Sequence, residues 1–72
     1  MFNYSISEKK EFRDGLFTAR EDFYWCKGDK KKIKSCVESR KGMLNLSISR
    51  KDKNMIAFQK GYLSYFKNKG YK

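Results

Sequence analysis

The chain contains no histidine and no proline, and only two of its 72 residues are cysteine. Without an imidazole it lacks the side chain that most often acts as a general base near neutral pH. Two thiols without an imidazole cannot build a tetrahedral zinc site, and they are too few for a disulfide scaffold. The five glycines stand apart from one another, so no glycine-rich loop could cradle a phosphate. We therefore expect no catalytic residues, no metal and no cofactor, and a binding protein rather than an enzyme.

Long apolar runs are also missing. No stretch approaches the roughly 18 apolar residues that a membrane-spanning helix needs. Residues 1–25 interleave apolar and charged side chains, so they do not resemble a signal peptide. We expect a cytoplasmic protein without a membrane span. Cys26 and Cys36 are then interpreted as buried reduced thiols, with a single disulfide between them as the alternative.

The length allows one small domain, residues 1–72. A chain this short buries only about 60% of the surface that its unfolded form exposes, so its margin of stability is thin. A disulfide scaffold and a zinc site are not available as supports, for the reasons above. We therefore consider a homodimer as the support to look for first.

The positive charge is concentrated in the last two thirds of the chain. The net charge is +10, but residues 1–26 carry four basic and five acidic side chains, whereas residues 27–72 carry fourteen basic and three acidic ones. Five lysines fall within eight residues, namely Lys27, Lys30, Lys31, Lys32 and Lys34. A surface of this kind predicts an acidic partner.

The lysine cluster has two possible settings. If Asp29 caps a helix, the lysines crowd its positive N-terminal end, where each unfavourable contact costs roughly 0.3–1 kcal/mol. A cluster placed where it costs folding energy indicates a use outside folding. The alternative is a solvated loop with the helix starting later, near Lys32.

Two segments alternate strictly between apolar and polar residues. Residues 1–7 and residues 43–49 both do so, and alternation of this kind predicts a half-buried strand. Two strands alone are marginally stable in water, so we expect them to pair with each other under a layer of helices. A dimer could extend this sheet to four strands.

Three helices are expected beside the two strands. Ser5 and Glu8 have the spacing of a capping box at the start of the first helix, with Ser7 as a second candidate cap, and Gly28 is a natural stop at its end. The core-facing stripe of this helix has helical spacing and consists of Phe12, Leu16, Ala19, Phe23 and Cys26.

Gly15 lies in the middle of the first helix, where glycine costs about 1 kcal/mol. Its position predicts the close approach of a neighbouring element.

The second helix is expected over residues 30–41, from an Asp29 cap to a stop at Gly42. The third is expected to be capped by Asn54, with Asp52 as the alternative, and to end at Gly70. Its aromatic residues lie among lysines and could form a base-stacking platform. We prefer to interpret them as core residues: Tyr62, Tyr65, Phe66 and Tyr71. The predicted class is therefore α+β, with a small two-stranded sheet, β-α-α-β-α order and helices packed on one face.

The leading functional hypothesis is a small non-catalytic protein that binds DNA or RNA in an accessory or regulatory role. Lysine neutralises phosphates without reading sequence, and the chain has fourteen lysines against four arginines. The residues predicted to contact phosphates are Lys27, Lys30, Lys31, Lys32, Lys34, Lys41, Lys60 and Lys67, with Lys51, Lys53 and Lys69 in a secondary role.

A protein partner is the alternative hypothesis. The chain would then be a modulator or inhibitor that docks on an acidic host protein. It resembles, in general character only, the compact lysine-rich chains without an active site that are common in phages and mobile elements. Tryptophan and tyrosine are favoured at such interfaces. Trp25, Tyr24 and Phe17 are the side chains predicted to contact the partner.

Overall fold

The computed structural model describes residues 4–71 and shows three α-helices: α1 Ile6–Cys26, α2 Lys30–Ser49 and α3 Lys53–Asn68. No strand occurs within this range. The predicted α+β class, with its two-stranded sheet and β-α-α-β-α order, is therefore wrong. For residues 4–71 the same finding also excludes the sheet that a dimer was expected to extend.

The capping signals, and not the alternating pattern, decide where α1 begins. The Ser5 hydroxyl accepts the Glu8 backbone N–H at 3.2 Å, and the Glu8 carboxylate accepts the Ser5 backbone N–H at 3.2 Å. This reciprocal pair is the predicted capping box. The strand predicted over residues 1–7 is wrong from residue 4 onward, because Ile6 and Ser7 already belong to the helix. Residues 1–3 lie outside the described part of the chain.

α2 runs eight residues beyond its predicted end at 41, through Gly42 to Ser49. The second predicted strand, 43–49, is therefore also wrong. Gly42 has open space around it, so its effect is limited to a helix-propensity cost of about 1 kcal/mol. The alternating residues Leu46 and Ile48 are each 51% exposed and belong to no buried sheet face.

The core-facing stripe of α2 continues at helical spacing to the end of the helix. Its apolar members are Ile33, Val37 and Leu44, and its polar members are Arg40 and Ser47. Ile33, Val37 and Ser47 are buried, whereas Arg40 and Leu44 are half-buried. The buried Ser47 hydroxyl has a hydrogen-bond partner, because it donates to the Met43 carbonyl at 2.8 Å.

α3 is capped by Asp52, and not by Asn54 as predicted. The Asp52 carboxylate accepts the Met55 backbone N–H at 3.2 Å, whereas Asn54 lies inside the first turn of the helix. The predicted stop at Gly70 is confirmed. This glycine has φ +91°, and the Tyr71 backbone N–H donates to the Phe66 carbonyl at 2.9 Å, which closes the last turn.

Helices α1 and α3 lie side by side and run parallel. The Ser7 hydroxyl donates to Asn54 Oδ1 at 3.3 Å near their first turns. Near their last turns the ring centroids of Phe23 and Phe66 are 6.3 Å apart. α2 runs in the opposite direction and packs mainly against α3.

The α1–α3 contact is close because a glycine stands on each side of it. A Cβ atom at Gly15 would lie 2.9 Å from the backbone nitrogen of Tyr62 and would overlap the Phe58 carbonyl oxygen. A Cβ atom at Gly61 would lie 2.9 Å from the Phe12 carbonyl carbon. The close approach predicted at Gly15 is confirmed.

The core lies where the three helices meet. It consists of Ala19, Ile33, Val37, Tyr62 and Phe66, all buried. The predicted stripe of α1 faces inward, with Ala19 buried and its other members half-buried. Of the aromatic residues that the sequence interpretation placed in the core, Tyr62 and Phe66 are buried there, and Tyr65 and Tyr71 pack against it partly buried.

Candidate functional site

The connection between α1 and α2 is a tight turn of three residues. Lys27 and Gly28 adopt positive φ values of 50° and 76°, and the Asp29 N–H donates to the Cys26 carbonyl at 2.8 Å. The Asp29 carboxylate then caps α2 by accepting the backbone N–H groups of Lys31 at 3.0 Å and Lys32 at 3.3 Å. The helix therefore starts at Lys30, as the capped interpretation of the lysine cluster predicts, and not near Lys32.

The lysine cluster is exposed and has no charge partner of its own. Within residues 4–71 the one ion pair joins Lys41 to Glu38 at 3.6 Å, and it lies outside the cluster. The first turn of α2 contains no acidic residue. Because the N-terminus of a helix carries a partial positive charge, the cluster adds to the field already present there.

Other basic and aromatic groups meet the cluster at the same end of the bundle. α1 and α3 run parallel, so their last turns lie beside the first turn of α2. Lys69 Nζ lies 4.8 Å from the ring centroid of Phe23 and 5.2 Å from that of Tyr65. We call this end the basic pole and define it by Lys27, Lys30, Lys31, Lys32, Lys34 and Lys69.

Three of the lysines predicted to bind phosphate lie elsewhere. Lys41 of α2 and Lys60 and Lys67 of α3 line a groove of about 490 Å³ between these helices. The other groove residues are mostly apolar: Phe12, Val37, Leu44, Leu63, Ser64 and Tyr71. We call this feature the lysine-lined groove. The structure thus separates most of the predicted lysines into two sites of different character. Lys51 and Lys53 belong to neither, because they lie at the α2–α3 connection, at the opposite end of the bundle from the basic pole.

The three aromatic residues predicted to contact a partner are exposed on α1. Trp25 is 73% exposed, Tyr24 is 72% exposed and Phe17 is 53% exposed. The rings of Tyr24 and Trp25 meet edge to face, with centroids 5.8 Å apart. We call Phe17, Tyr24 and Trp25 the aromatic patch.

Arg20 joins the aromatic patch to the basic pole. It lines a depression of about 290 Å³ with Phe17, Tyr24 and Trp25, and another of about 420 Å³ with Tyr24 and Lys27. The sequence interpretation did not select Arg20 as a site residue. Its spacing of three residues from Phe17 and four from Tyr24 places it between them on one helix face, and that signal was available in the sequence.

A polar cluster beside the core was not predicted. The fully buried Tyr62 donates its hydroxyl to Asp22 Oδ2 at 2.5 Å. The Arg40 guanidinium lies 4.5 Å from the Tyr62 ring centroid and donates to Gln59 Oε1 at 3.5 Å. Burial, followed by the hydrogen bond to Asp22, raises the pKa of Tyr62 above its usual range. The cluster reaches the surface at a shallow cleft, which Asp22, Arg40 and Tyr62 line together with Ser35, Cys36, Ser39 and Met43.

The two cysteines are free thiols and lie half-buried near each other, one on α1 and one on α2. Burial raises the pKa of Cys26, and contact with the Cys36 thiol raises it further. Among residues 4–71 no group of three or more histidine, cysteine or acidic side chains could hold a metal ion. In the same range no helix is long and apolar enough to cross a membrane.

No protein-family model matches this chain, and the searches of curated proteins and of solved structures found no match either.

Proposed function

We propose that the protein is a non-catalytic nucleic-acid-binding protein whose basic pole contacts phosphates in an accessory or regulatory role. The observation that carries this proposal is the collection of exposed lysines around the first turn of α2. Those lysines have no ion-pair partner within residues 4–71. Backbone phosphates would supply the missing negative charge.

The geometry of the α1–α2 turn supports the proposal. Lys27 keeps a left-handed backbone conformation that costs a residue with a side chain about 1–2 kcal/mol. Lys30, Lys31 and Lys32 stand in the first turn of α2, where positive charge opposes the helix dipole. Both placements lower the stability of the free protein, and the charge placement becomes favourable when a polyanion binds.

Binding through lysine and phosphate is expected to be largely independent of sequence. Lysine is a flexible point charge, whereas base edges are read by arginine, asparagine or glutamine. The basic pole contains six lysines and no arginine, and Arg20 lies beside it, between the aromatic patch and Lys27. We therefore expect binding to depend steeply on salt and weakly on base composition.

Fluorescence anisotropy with labelled DNA and RNA at several salt concentrations tests the proposal. The triple variant Lys30→Ala, Lys31→Ala, Lys34→Ala should weaken binding and lower the slope of log K against log salt by about 2–3, since each phosphate contact contributes roughly 0.7–0.9. The matched control removes the same charge at the opposite end of the bundle with Lys9→Ala, Lys10→Ala and Lys53→Ala. No binding at low salt, or equal losses in both triple variants, would contradict the proposal.

A second candidate function is binding of an acidic protein, and the lysine-lined groove favours it. Its apolar residues lie along about two turns of α2 and α3, since residues 37–44 and 60–67 each span about 10 Å at 1.5 Å per residue. Lys41, Lys60 and Lys67 lie beside this apolar strip. An amphipathic helix with carboxylates flanking its apolar face would match both properties.

A labelled peptide with leucines at helical spacing and glutamates beside them tests this second candidate. The double variant Lys60→Glu, Lys67→Glu should abolish binding, because it reverses two of the groove charges. The control Lys31→Glu, Lys34→Glu makes the same charge change at the basic pole and should leave most of the affinity. Equal affinity for both double variants would show that the peptide does not use the groove.

We also propose a cytoplasmic location and a homodimer, the latter through helix faces and not through a sheet. Met43 and Leu46 lie three residues apart on one face of α2, and both are exposed apolar side chains that a second copy could cover. Sedimentation equilibrium should show a dimer that Leu46→Glu dissociates. A monomer at every concentration would exclude this part of the proposal.

A further inference from the structure

The aromatic patch exposes more apolar surface than folding requires. Trp25 and Tyr24 occupy the last turn of α1 and are each more than 70% exposed, although tryptophan is highly buried on average in folded proteins. Phe17 lies two turns earlier on the same helix. Surface apolar groups that cluster in this way indicate a binding site.

The position of the patch identifies the kind of ligand. Trp25 is separated from Lys27 by one residue, and the Lys27 turn leads directly into the lysines of α2. Arg20 and Lys27 also border the depression beside Tyr24. A ligand at this pole would meet positive charge and exposed ring faces or edges within one continuous surface.

From this arrangement we infer that the ligand is single-stranded nucleic acid. Its unpaired bases stack on Trp25 and Tyr24 while its phosphates contact Lys27 and the lysines of α2. In a duplex the base faces are already covered by neighbouring bases, so the aromatic patch would gain no contact there. In a single strand every base offers a free face, which makes stacking tolerant of sequence. This inference rests on the proposed function and names its substrate class.

The chain supplies its own reporter, because Trp25 is its single tryptophan. Titration with a short oligothymidylate should quench the Trp25 emission, and a duplex of equal length should change it much less. In parallel, anisotropy at fixed salt should show tighter binding of the single strand. We expect Trp25→Ala to weaken single-strand binding by roughly 5- to 100-fold, which is the contribution of stacking on one aromatic side chain.

Two further variants separate stacking from general apolar contact. Trp25→Phe keeps a ring and should retain most of the single-strand affinity, whereas Trp25→Leu keeps apolar area without a ring and should lose it. Ile48→Ala is the control, since Ile48 is about half exposed on α2 and far along the chain from the patch. Circular dichroism confirms that each variant folds.

The outcomes distinguish this inference from the proposed function. Equal affinity for single strand and duplex, with unchanged tryptophan emission, would overturn the stacking inference and leave phosphate binding intact. Binding of neither form at low salt would overturn both. Quenching by the single strand that disappears on lysine substitution but persists in the Lys9, Lys10, Lys53 triple variant would support both.

Discussion

Gly15 of α1 and Gly61 of α3 each face the backbone of the opposite helix, where a side chain would overlap a main-chain carbonyl group. The two glycines thereby set how closely the helices that carry most of the core approach each other. The parallel packing of α1 and α3 in turn places their last turns beside the first turn of α2. The basic pole therefore depends on a glycine–backbone contact that involves none of its own residues.

Substitution of either glycine by alanine should destabilise the fold. Forcing a methyl group into a packed contact typically costs about 1–3 kcal/mol, and the better helix propensity of alanine offsets about 1 kcal/mol of that. We expect Gly15→Ala and Gly61→Ala each to lower the free energy of unfolding in a urea titration. Gly42→Ala is the control, because Gly42 has open space around it and this change should stabilise the protein by about 1 kcal/mol. A neutral Gly61→Ala would show that the helices separate easily.

Replacing Lys27 by glycine should separate stability from binding. Lys27 has φ 50°, a region that glycine adopts without steric cost, so Lys27→Gly is expected to stabilise the protein by about 0.5–1 kcal/mol. It should also weaken nucleic-acid binding, since it removes the lysine next to the aromatic patch.

The matched control is Lys51→Gly at the other helix connection, where φ is 57°. It should give a similar gain in thermal midpoint and leave binding nearly unchanged. If Lys51→Gly weakened binding as much as Lys27→Gly, the basic pole would not be the site.

The capping role of Asp29 can be tested separately from the effect of its negative charge. Asp29→Ala removes the acceptor for two backbone N–H groups and should cost about 1 kcal/mol. Asp29→Asn keeps a capping oxygen, so stability should change by only a few tenths of a kcal/mol. Because it also removes the one negative charge within the lysine cluster, anisotropy should show tighter binding. Unchanged or weaker binding by Asp29→Asn would argue against phosphate contacts at this turn.

Because of the hydrogen bond between Tyr62 and Asp22, we expect the free energy of unfolding to fall at alkaline pH. Burial and the bond to Asp22 raise the pKa of Tyr62 in the folded state above its unfolded value of about 10. The folded state therefore holds the Tyr62 proton more tightly than the unfolded state does. The resulting contribution to the free energy of unfolding is complete below a pH of about 10 and is lost as the pH rises further.

Tyr62→Phe should abolish that part of the alkaline loss. At neutral pH the same variant should lower the free energy of unfolding by about 1.5–3 kcal/mol, the range for a hydrogen bond to a charged group. Denaturant titrations of both proteins at neutral and alkaline pH measure the difference. Parallel pH profiles for the two proteins would contradict the proposed linkage.

The parts of the fold that sequence reasoning captured are those in which several local signals agree. α1 has a capping box, an apolar stripe of helical spacing and a glycine stop. Its capping box is confirmed, although the strand predicted over the same residues is wrong. The second half of α2 was missed because Arg40 and Ser47 occupy core-facing positions, which interrupts the apolar stripe. At the same place Leu46 and Ile48 produce an alternating pattern although both are exposed.

The candidate site, like the fold, was predictable only in part. The lysine cluster lies within eight residues of the sequence, and a helix start capped by Asp29 was one of its two predicted settings. Whether Lys60 and Lys67 join the cluster depends on which face of α3 packs against α2, and no local pattern states that. The structure places them in the lysine-lined groove instead.

The pairing of the first helix with the last also has a consequence for how the chain is made. Ser7 bonds to a residue 47 positions later, and Asp22 to one 40 positions later. At roughly 5–20 residues per second, a ribosome needs about 2–9 s to supply those partners, and α1 is without its main neighbour during that time. Synthesis that stops after α2 would release a chain that already has its lysine cluster but not yet its core.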